Sequence, residues 1–157
     1  MDLPMIDNAP SGRGFVTLLE AFRASGGTAP GDIVARLMED HHTGEAVSLA
    51  KLVHSGQVFG FEWRSSLWIP MFQFNADDLS IVSASQLVRG ELPEFWSGWA
   101  VAMWFATPNW RLEDRRPVDL LASDLTAVLH AAESSWSADG GGHLQVRPEQ
   151  KLAAVHA

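Results

Sequence analysis

The sequence predicts a single domain with an α+β fold that is mainly helical and contains one β-hairpin. Apolar residues recur at helical spacing over most of the 157 residues. One segment, residues 58–74, changes to a composition rich in aromatic and β-branched side chains. Hydrophobic residues make up 46% of the chain and charged residues 19%, and there is no cysteine. A domain of this length and composition buries enough apolar surface to fold without a disulfide or a metal.

Three helices are predicted in the first 54 residues. The first covers residues 13–24 and ends at Gly26-Gly27. The second opens at the Thr28–Asp32 start signal, with Pro30 in its first turn, and ends near His41-His42. Gly44 separates it from the third helix, over residues 45–54. The positions expected to face inward are Phe15, Leu18, Leu19, Phe22, Ile33, Val34, Leu37, Met38, Val47, Ala50, Leu52 and Val53.

A β-hairpin is predicted from residues 58–63 and 67–74, which are joined by the short segment Arg64-Ser65-Ser66. Proline lacks an N–H group to donate within a sheet, so Pro70 predicts an edge strand or a bulge. The segment Asn75-Ala-Asp-Asp78 is expected to form the turn that follows.

An aromatic helix is predicted to form the centre of the core. A helix from Ser83 or Ser85 to Arg89 precedes it, and Pro93 is expected to open it. It is apolar nearly all round, which is typical of a helix buried on every side. Its two apolar stripes are Phe95, Trp99 and Met103, and Trp96, Ala100 and Trp104.

The segment after this helix is the most distinctive part of the chain. Thr107-Pro108-Asn109 stops the helix, an arginine-rich turn follows, and Pro117 opens a short apolar segment. Ser123 or Asp124 is expected to cap the last helix, and a Ser/Gly linker is expected from Ser134.

Tryptophan and arginine are enriched at the energetic centres of protein interfaces, so this turn is a candidate partner-binding surface. An alternative stays open, in which the turn is solvated and Trp110 is tucked against the domain. The residues assigned to partner binding are Asn109, Trp110, Arg111, Arg115 and Arg116.

The residues that commonly carry catalysis are not arranged for it. Adjacent histidines at 41 and 42 point in different directions on a helix and lack the spacing of a metal site. The carboxylate pairs Asp77/Asp78 and Glu91/Glu94 lie in turns or at helix starts, where capping explains them. The glycine pairs are not followed by the lysine of a phosphate-binding loop. We therefore expect neither an enzyme, nor a metal, nor a cofactor.

Charge and hydropathy narrow the class of partner. The formal net charge is −8, and residues 1–60 carry seven acidic against four basic side chains, so direct nucleic-acid binding is not expected. The acidic beginning of the sequence lacks the basic start of a signal peptide, and no apolar run approaches a membrane span. A cytoplasmic location is the resulting expectation.

A tryptophan helix, a Thr-Pro-Asn turn, a leucine and an Arg-Pro pair follow one another between residues 99 and 121. The residues concerned are Trp104, Thr107-Pro108-Asn109, Leu112, Arg116-Pro117 and Asp119-Leu120-Leu121. This order is similar to the toxin-binding domain of the Xre/MbcA/ParS antitoxins, over about residues 83–133. The hairpin, with Pro70-Met-Phe-Gln-Phe74, resembles the segment that precedes that domain in many relatives. Family members usually have a glycine in the turn where this chain has Glu113-Asp114.

The resemblance implies an antitoxin-like protein that neutralises a cognate toxin enzyme by direct contact, in the family often a RES-type enzyme that degrades NAD. It divides the chain into N-terminal helices plus hairpin (1–82), a toxin-binding helical region (83–134) and a flexible tail (135–157), and residues 137–157 are expected to contact the partner. It makes Trp104, Pro108, Leu112 and Pro117 structural residues of the motif.

Two other functions stay open at this point: a DNA-binding transcriptional regulator, and a protein that binds a small ligand in a tryptophan-lined pocket. The seven tryptophans exceed the aromatic content that one small core needs, which favours a homo-oligomer.

Overall fold

The computed structural model describes residues 10–41 and 48–137, and within these ranges seven α-helices accompany a three-stranded antiparallel sheet. The predicted α+β, mainly helical fold is confirmed. The helices are α1 (Gly12–Phe22), α2 (Gly31–His41), α3 (Leu49–His54), α4 (Ser83–Glu91), α5 (Gly98–Ala106), α6 (Pro117–Leu120) and α7 (Leu125–Ser137). The strands are β1 (Thr28–Pro30), β2 (Phe61–Trp63) and β3 (Ser66–Pro70), and single 3-10 turns cover Arg23–Ser25, Met71–Gln73 and Trp110–Leu112.

The predicted hairpin is formed by β2 and β3. Its two-residue turn consists of Arg64 and Ser65, with φ of 54° and 67°, and positive φ at both central residues matches the right-handed twist of the strands. Residues 28–30 form β1 and pair with β3, so the prediction of a helix start with Pro30 in its first turn was wrong.

The sheet order β1-β3-β2 makes β3 the central strand, which contradicts the edge position predicted from Pro70. Pro70 is the last residue of β3, where a missing N–H group disturbs the ladder least. The following N–H group, that of Met71, donates to the carbonyl oxygen of Gly27 over 2.9 Å and completes the pairing.

The N-terminal helices follow the predicted order with shifted boundaries. Gly26 and Gly27, with φ of 113° and 81°, end the first helical segment as predicted. The third helix begins at Leu49, because the Ser48 hydroxyl accepts the N–H of Lys51 and caps it there. The predictions for His42, Gly44, 45–47 and Val47 lie outside the described residues.

Three inward positions of this region were predicted wrongly. Ala50 is exposed, and Leu49 and Leu52 are the buried side chains of α3. On α2, Val34 and Met38 are buried, whereas Ile33 and Leu37 remain 40% and 39% exposed. A helix of this length covers only one stripe against its neighbours, and the sheet and α3 lie on that stripe.

The aromatic helix α5 is buried almost throughout, which confirms its predicted position at the centre of the core. It begins at Gly98 and not at Pro93, because the Ser97 hydroxyl accepts the N–H of Ala100 and caps the helix there. Phe95 lies before the helix and is 80% exposed, so its predicted place on the buried stripe was wrong.

Two apolar clusters fill the described part of the domain. The larger one surrounds α5 and includes buried side chains of α1, α4, α6 and α7. The smaller one joins α2 and α3 to the sheet and consists of Val34, Met38, Leu49, Leu52, Val58, Ile69, Phe74 and Leu79. Among the described helices, none combines the length and the apolar character that crossing a bilayer requires.

Candidate functional site

The turn after α5 is organised by Asn109. Its backbone N–H donates to the carbonyl oxygen of Arg115 over 3.0 Å, and its own carbonyl oxygen accepts from Leu112 and Asp114 over 2.8 and 2.9 Å. Its side-chain Oδ1 accepts the N–H of Arg111 over 2.9 Å. Four hydrogen bonds therefore converge on one residue, which is only 2% exposed.

These hydrogen bonds hold a left-handed backbone at the far end of the turn. Glu113 and Asp114 have φ of 60° and 66°, and the resemblance places a glycine in this turn. A left-handed conformation costs a residue with a Cβ about 1–2 kcal/mol. The four hydrogen bonds that converge on Asn109, one of them from the N–H of Asp114, offset this cost.

Trp110 and Arg111 form a stacked pair on this turn. The guanidinium carbon of Arg111 lies 4.3 Å from the centre of the Trp110 ring, which is a cation–π contact. Both side chains are half-buried, because the turn packs against α7. The structure therefore lies between the two predicted alternatives: Trp110 rests against the domain and still borders its surface.

The pair lines a cleft of 330 Å³ between the turn and α7. The helix contributes Ala127, Ala131 and Ser134 from successive turns, together with the exposed His130. Small side chains at 127 and 131 leave room beside the tryptophan ring. These α7 residues were not predicted as site residues, although their i, i+3, i+4, i+7 spacing places them on one helix face.

The electrostatics of the cleft are set by Arg111. Burial lowers the pKa of its guanidinium below the ordinary value, and desolvation is the cause of that shift. Among the described residues, no carboxylate oxygen lies within 4.0 Å of it. Its Nε atom and the Nε1 atom of Trp110 are both buried without a hydrogen-bond partner in that part of the chain. The cleft therefore presents a positive charge that its described surroundings do not neutralise.

The other residues predicted to bind a partner take different positions. Arg115 is exposed and uses its backbone to close the turn. Arg116 is paired with Asp119, with 2.8 Å between Nε and Oδ2, so its charge is already engaged. Asn109 is buried and its side chain shapes the turn, so its predicted contact with a partner stays a prediction.

The four residues assigned to the structural motif are placed as follows. Trp104 is 1% exposed, Leu112 and Pro117 are buried, and Pro108 is exposed. Pro117 occupies the first turn of α6, where its missing N–H group has no partner to lose. Pro108 follows the C-cap Thr107 and has no N–H group with which to continue α5.

The last helix is longer than predicted and is fixed against α5. Asp124 caps it, since its Oδ1 accepts the N–H of Ala127 over 3.3 Å. The indole Nε1 of Trp104 donates to the hydroxyl of Ser135 over 3.0 Å, and that hydroxyl donates to a backbone carbonyl. Helix α7 therefore continues to Ser137, past the predicted start of the linker at Ser134. Apart from Ser137, the segment 137–157 that is predicted to contact a partner lies outside the described residues.

Two of the remaining candidate carboxylates, Asp78 and Glu94, have structural roles. Asp78 accepts the N–H of Ser80 over 2.9 Å and shapes the predicted turn. Glu94 lies close enough to Arg89 to raise the pKa of that guanidinium against the lowering by burial. Within residues 10–41 and 48–137, no group of three or more histidine, aspartate or glutamate side chains is placed to hold a metal ion.

A second cleft, of 410 Å³, lies elsewhere on the surface and is mainly apolar. It is bordered by Pro30, Gly31, Asp32, Ala35, Leu49, Ala50, Ser66 and Leu67. Its described lining residues include no tryptophan and no basic side chain, so this lining does not match the predicted tryptophan-lined pocket.

Comparison of the chain with protein-family models, with curated protein sequences and with solved structures gives no significant match.

Proposed function

We propose that this chain is an antitoxin-like, cytoplasmic binding protein that neutralises a cognate toxin enzyme by direct contact. The observation that carries the proposal is the stacked Trp110–Arg111 pair at the cleft against α7. Tryptophan and arginine dominate binding energy when they lie in a pocket that a partner covers. The motif that resembles the antitoxin toxin-binding domain contains this same turn.

The construction of the turn supports a binding role. Hydrogen bonds to Asn109 fix the backbone on both sides of Trp110 and Arg111 before any partner arrives. A surface that is already ordered loses less conformational entropy when it binds. The mechanism we propose is steric: the turn anchors the antitoxin on the toxin, which in the family is often a RES-type enzyme, and the bound chain obstructs the toxin's active site.

The alternatives have less support. The net charge of −8 disfavours a DNA-binding regulator, because the phosphate backbone of DNA attracts basic proteins. Salt-dependent retention of the pure protein on DNA would support that alternative. For a small-ligand protein, the 330 Å³ cleft is near the lower limit of ligand pockets, and Trp99 and Trp104 lie in the core and not around it.

The proposal is tested by capture from the native cell. Tagged wild type, Trp110→Ala and the control Phe95→Ala are compared, since Phe95 is an exposed aromatic residue outside the cleft. We expect wild type and the control to retain one stoichiometric enzyme that is inactive in the complex. We expect Trp110→Ala to weaken binding about 30-fold, as the loss of about 2 kcal/mol at an interface centre implies.

Two results would overturn the proposal. One is recovery of the wild-type protein alone, or only as its own oligomer. The other is capture of the enzyme by Trp110→Ala as efficiently as by wild type, once circular dichroism has shown that the variant is folded.

A further inference from the structure

Arg111 differs from the other partly buried arginines in its surroundings. Burial lowers the pKa of Arg89 as well, but Glu94 opposes that shift and two backbone carbonyls accept from Nη1 over 3.3 and 3.5 Å. Arg116 has its carboxylate, that of Asp119. For Arg111, none of the described residues provides a carboxylate or a hydrogen-bond acceptor. A partly desolvated cation without a counter-charge is less stable than a paired one, and Arg111 borders an open cleft.

The geometry leaves one side of the guanidinium free. Nε is buried, whereas the terminal Nη nitrogens have no partner within the described chain and are not among its buried unpaired atoms. The contact of 4.3 Å with the centre of the Trp110 ring holds the guanidinium at the edge of the cleft. His130 and Ser134, which border the same cleft, offer further hydrogen-bonding atoms. The cleft therefore presents hydrogen-bond donors that have no acceptor among the described residues.

We propose that the cleft receives one carboxylate, the side chain of an aspartate or glutamate of the partner protein, on the terminal nitrogens of Arg111. The inference rests on the proposed function, since that function supplies the partner. A guanidinium binds a carboxylate through two parallel, charge-assisted hydrogen bonds, which a planar acceptor satisfies best. The cleft is large enough for a single side chain.

The charges around the cleft favour a carboxylate over a phosphate or nucleic acid. Glu113 and Asp114 are exposed on the same turn together with the cation Arg115, and the whole chain carries a net charge of −8. This negative field repels a dianion or a polyanion more strongly than it repels a single carboxylate. The net negative charge of the chain around Arg111 therefore favours a singly charged group over a multiply charged one.

The test uses the full-length protein and a side-chain mimic rather than the toxin. N-acetylaspartate α-amide is titrated at constant ionic strength, and the Trp110 indole N–H is followed by ¹H–¹⁵N NMR, with Trp110→Phe to assign that signal. The neutral isostere N-acetylasparagine α-amide is titrated in parallel. We expect a saturable shift with millimolar affinity for the aspartate derivative and no saturable shift for the asparagine derivative.

Substitutions of two arginines show which side chain binds the aspartate derivative. Arg111→Gln is expected to weaken it at least tenfold. Arg64→Gln is the matched control, because Arg64 also stacks on a tryptophan ring, at 5.3 Å from Trp63, but lies in the hairpin turn. This control is expected to bind like wild type.

Equal responses to the two amides, or an undiminished response in Arg111→Gln, would overturn the inference. A stronger response to inorganic phosphate at the same ionic strength would overturn the assignment to a carboxylate. The comparison of the two amides on wild type decides the question even if a variant fails to fold. If the wild-type protein captures the toxin but does not bind the aspartate derivative, this inference alone is refuted. If it binds the aspartate derivative but captures no toxin, the proposed function alone is refuted.

Discussion

Replacing Gln73 by methionine tests whether a single buried amide holds the hairpin to the core. Gln73 is 1% exposed. Its Oε1 accepts the N–H of Phe59 over 2.9 Å, and its Nε2 donates to the carbonyl oxygens of Phe59 and Pro70 over 2.8 and 3.0 Å. Methionine has a similar length, so the substitution removes these hydrogen bonds and leaves little empty volume.

The magnitude follows from the groups that lose their partners. The N–H and carbonyl groups of Phe59, a residue that is 7% exposed, both bond to the amide of Gln73. A buried polar group left without a partner costs about 1–3 kcal/mol, so two such groups cost about 2–6 kcal/mol. This loss is a large part of the free energy of unfolding of an ordinary domain, which is about 5–15 kcal/mol.

The assay is urea unfolding followed by tryptophan fluorescence. With a slope of about 2 kcal/mol per molar urea, the expected loss lowers the midpoint by about 1–3 M. Gln57→Met is the control, since Gln57 is exposed and its substitution should change the free energy of unfolding by less than about 0.5 kcal/mol. A Gln73→Met midpoint within experimental error of the control, at an unchanged slope, would refute the reasoning.

Three further changes are expected to act through packing, the turn and the last helix. Gly98→Ala should destabilise the protein by several kcal/mol, because the added Cβ would overlap the backbone carbonyl oxygen of Gly60. Its control is Gly12→Ala, whose added Cβ meets open space, so that variant should be as stable as wild type or slightly more stable. Asn109→Ala removes the acceptor that caps the turn and should cost about 1–2 kcal/mol, with weaker partner binding. Ser135→Ala leaves the buried indole nitrogen of Trp104 unpaired and should cost about 1–3 kcal/mol.

Thermal and urea unfolding check these three expectations, each with its own control. Asn109→Asp keeps an acceptor oxygen at the capping position and should retain more stability than the alanine variant. Ser134→Ala, on the cleft side of α7, should leave the free energy of unfolding nearly unchanged. The explanations fail if Gly98→Ala is as stable as wild type, if the two Asn109 variants are equally stable, or if the two serine variants are indistinguishable.

Local signals in the sequence were sufficient where one residue type has one physical role. Gly26 and Gly27 end a helical segment because positive φ suits glycine. Arg64 and Ser65 connect two β-rich segments, and a connection this short joins neighbouring antiparallel strands. The stop at residues 107–109 and the cap at Asp124 depend on neighbouring backbone groups, so they could be predicted without the fold.

Predictions failed where a distant segment decided the outcome. Pro30 fits the first turn of a helix, but the free edge of β3 pairs with residues 28–30 and makes them a strand. Pro93 is equally suited to begin a helix, yet α5 begins only at Gly98; the Ser97 cap at this start is local, but the close approach of Gly98 to the Gly60 backbone is not. Such contacts join residues more than 30 positions apart, and no local pattern encodes them.

The candidate site divides in the same way. The sequence by itself determined that a tryptophan and several arginines follow a helix stop, because proline and asparagine end a helix through their own chemistry. Only the tertiary structure decided which of them border the cleft: it buried Asn109, paired Arg116 with Asp119 and left Arg111 without a counter-charge among the described residues. The physical reason is that exposure and electrostatic pairing depend on what α7 places opposite the turn, and the spacing along the chain carries no information about that neighbour.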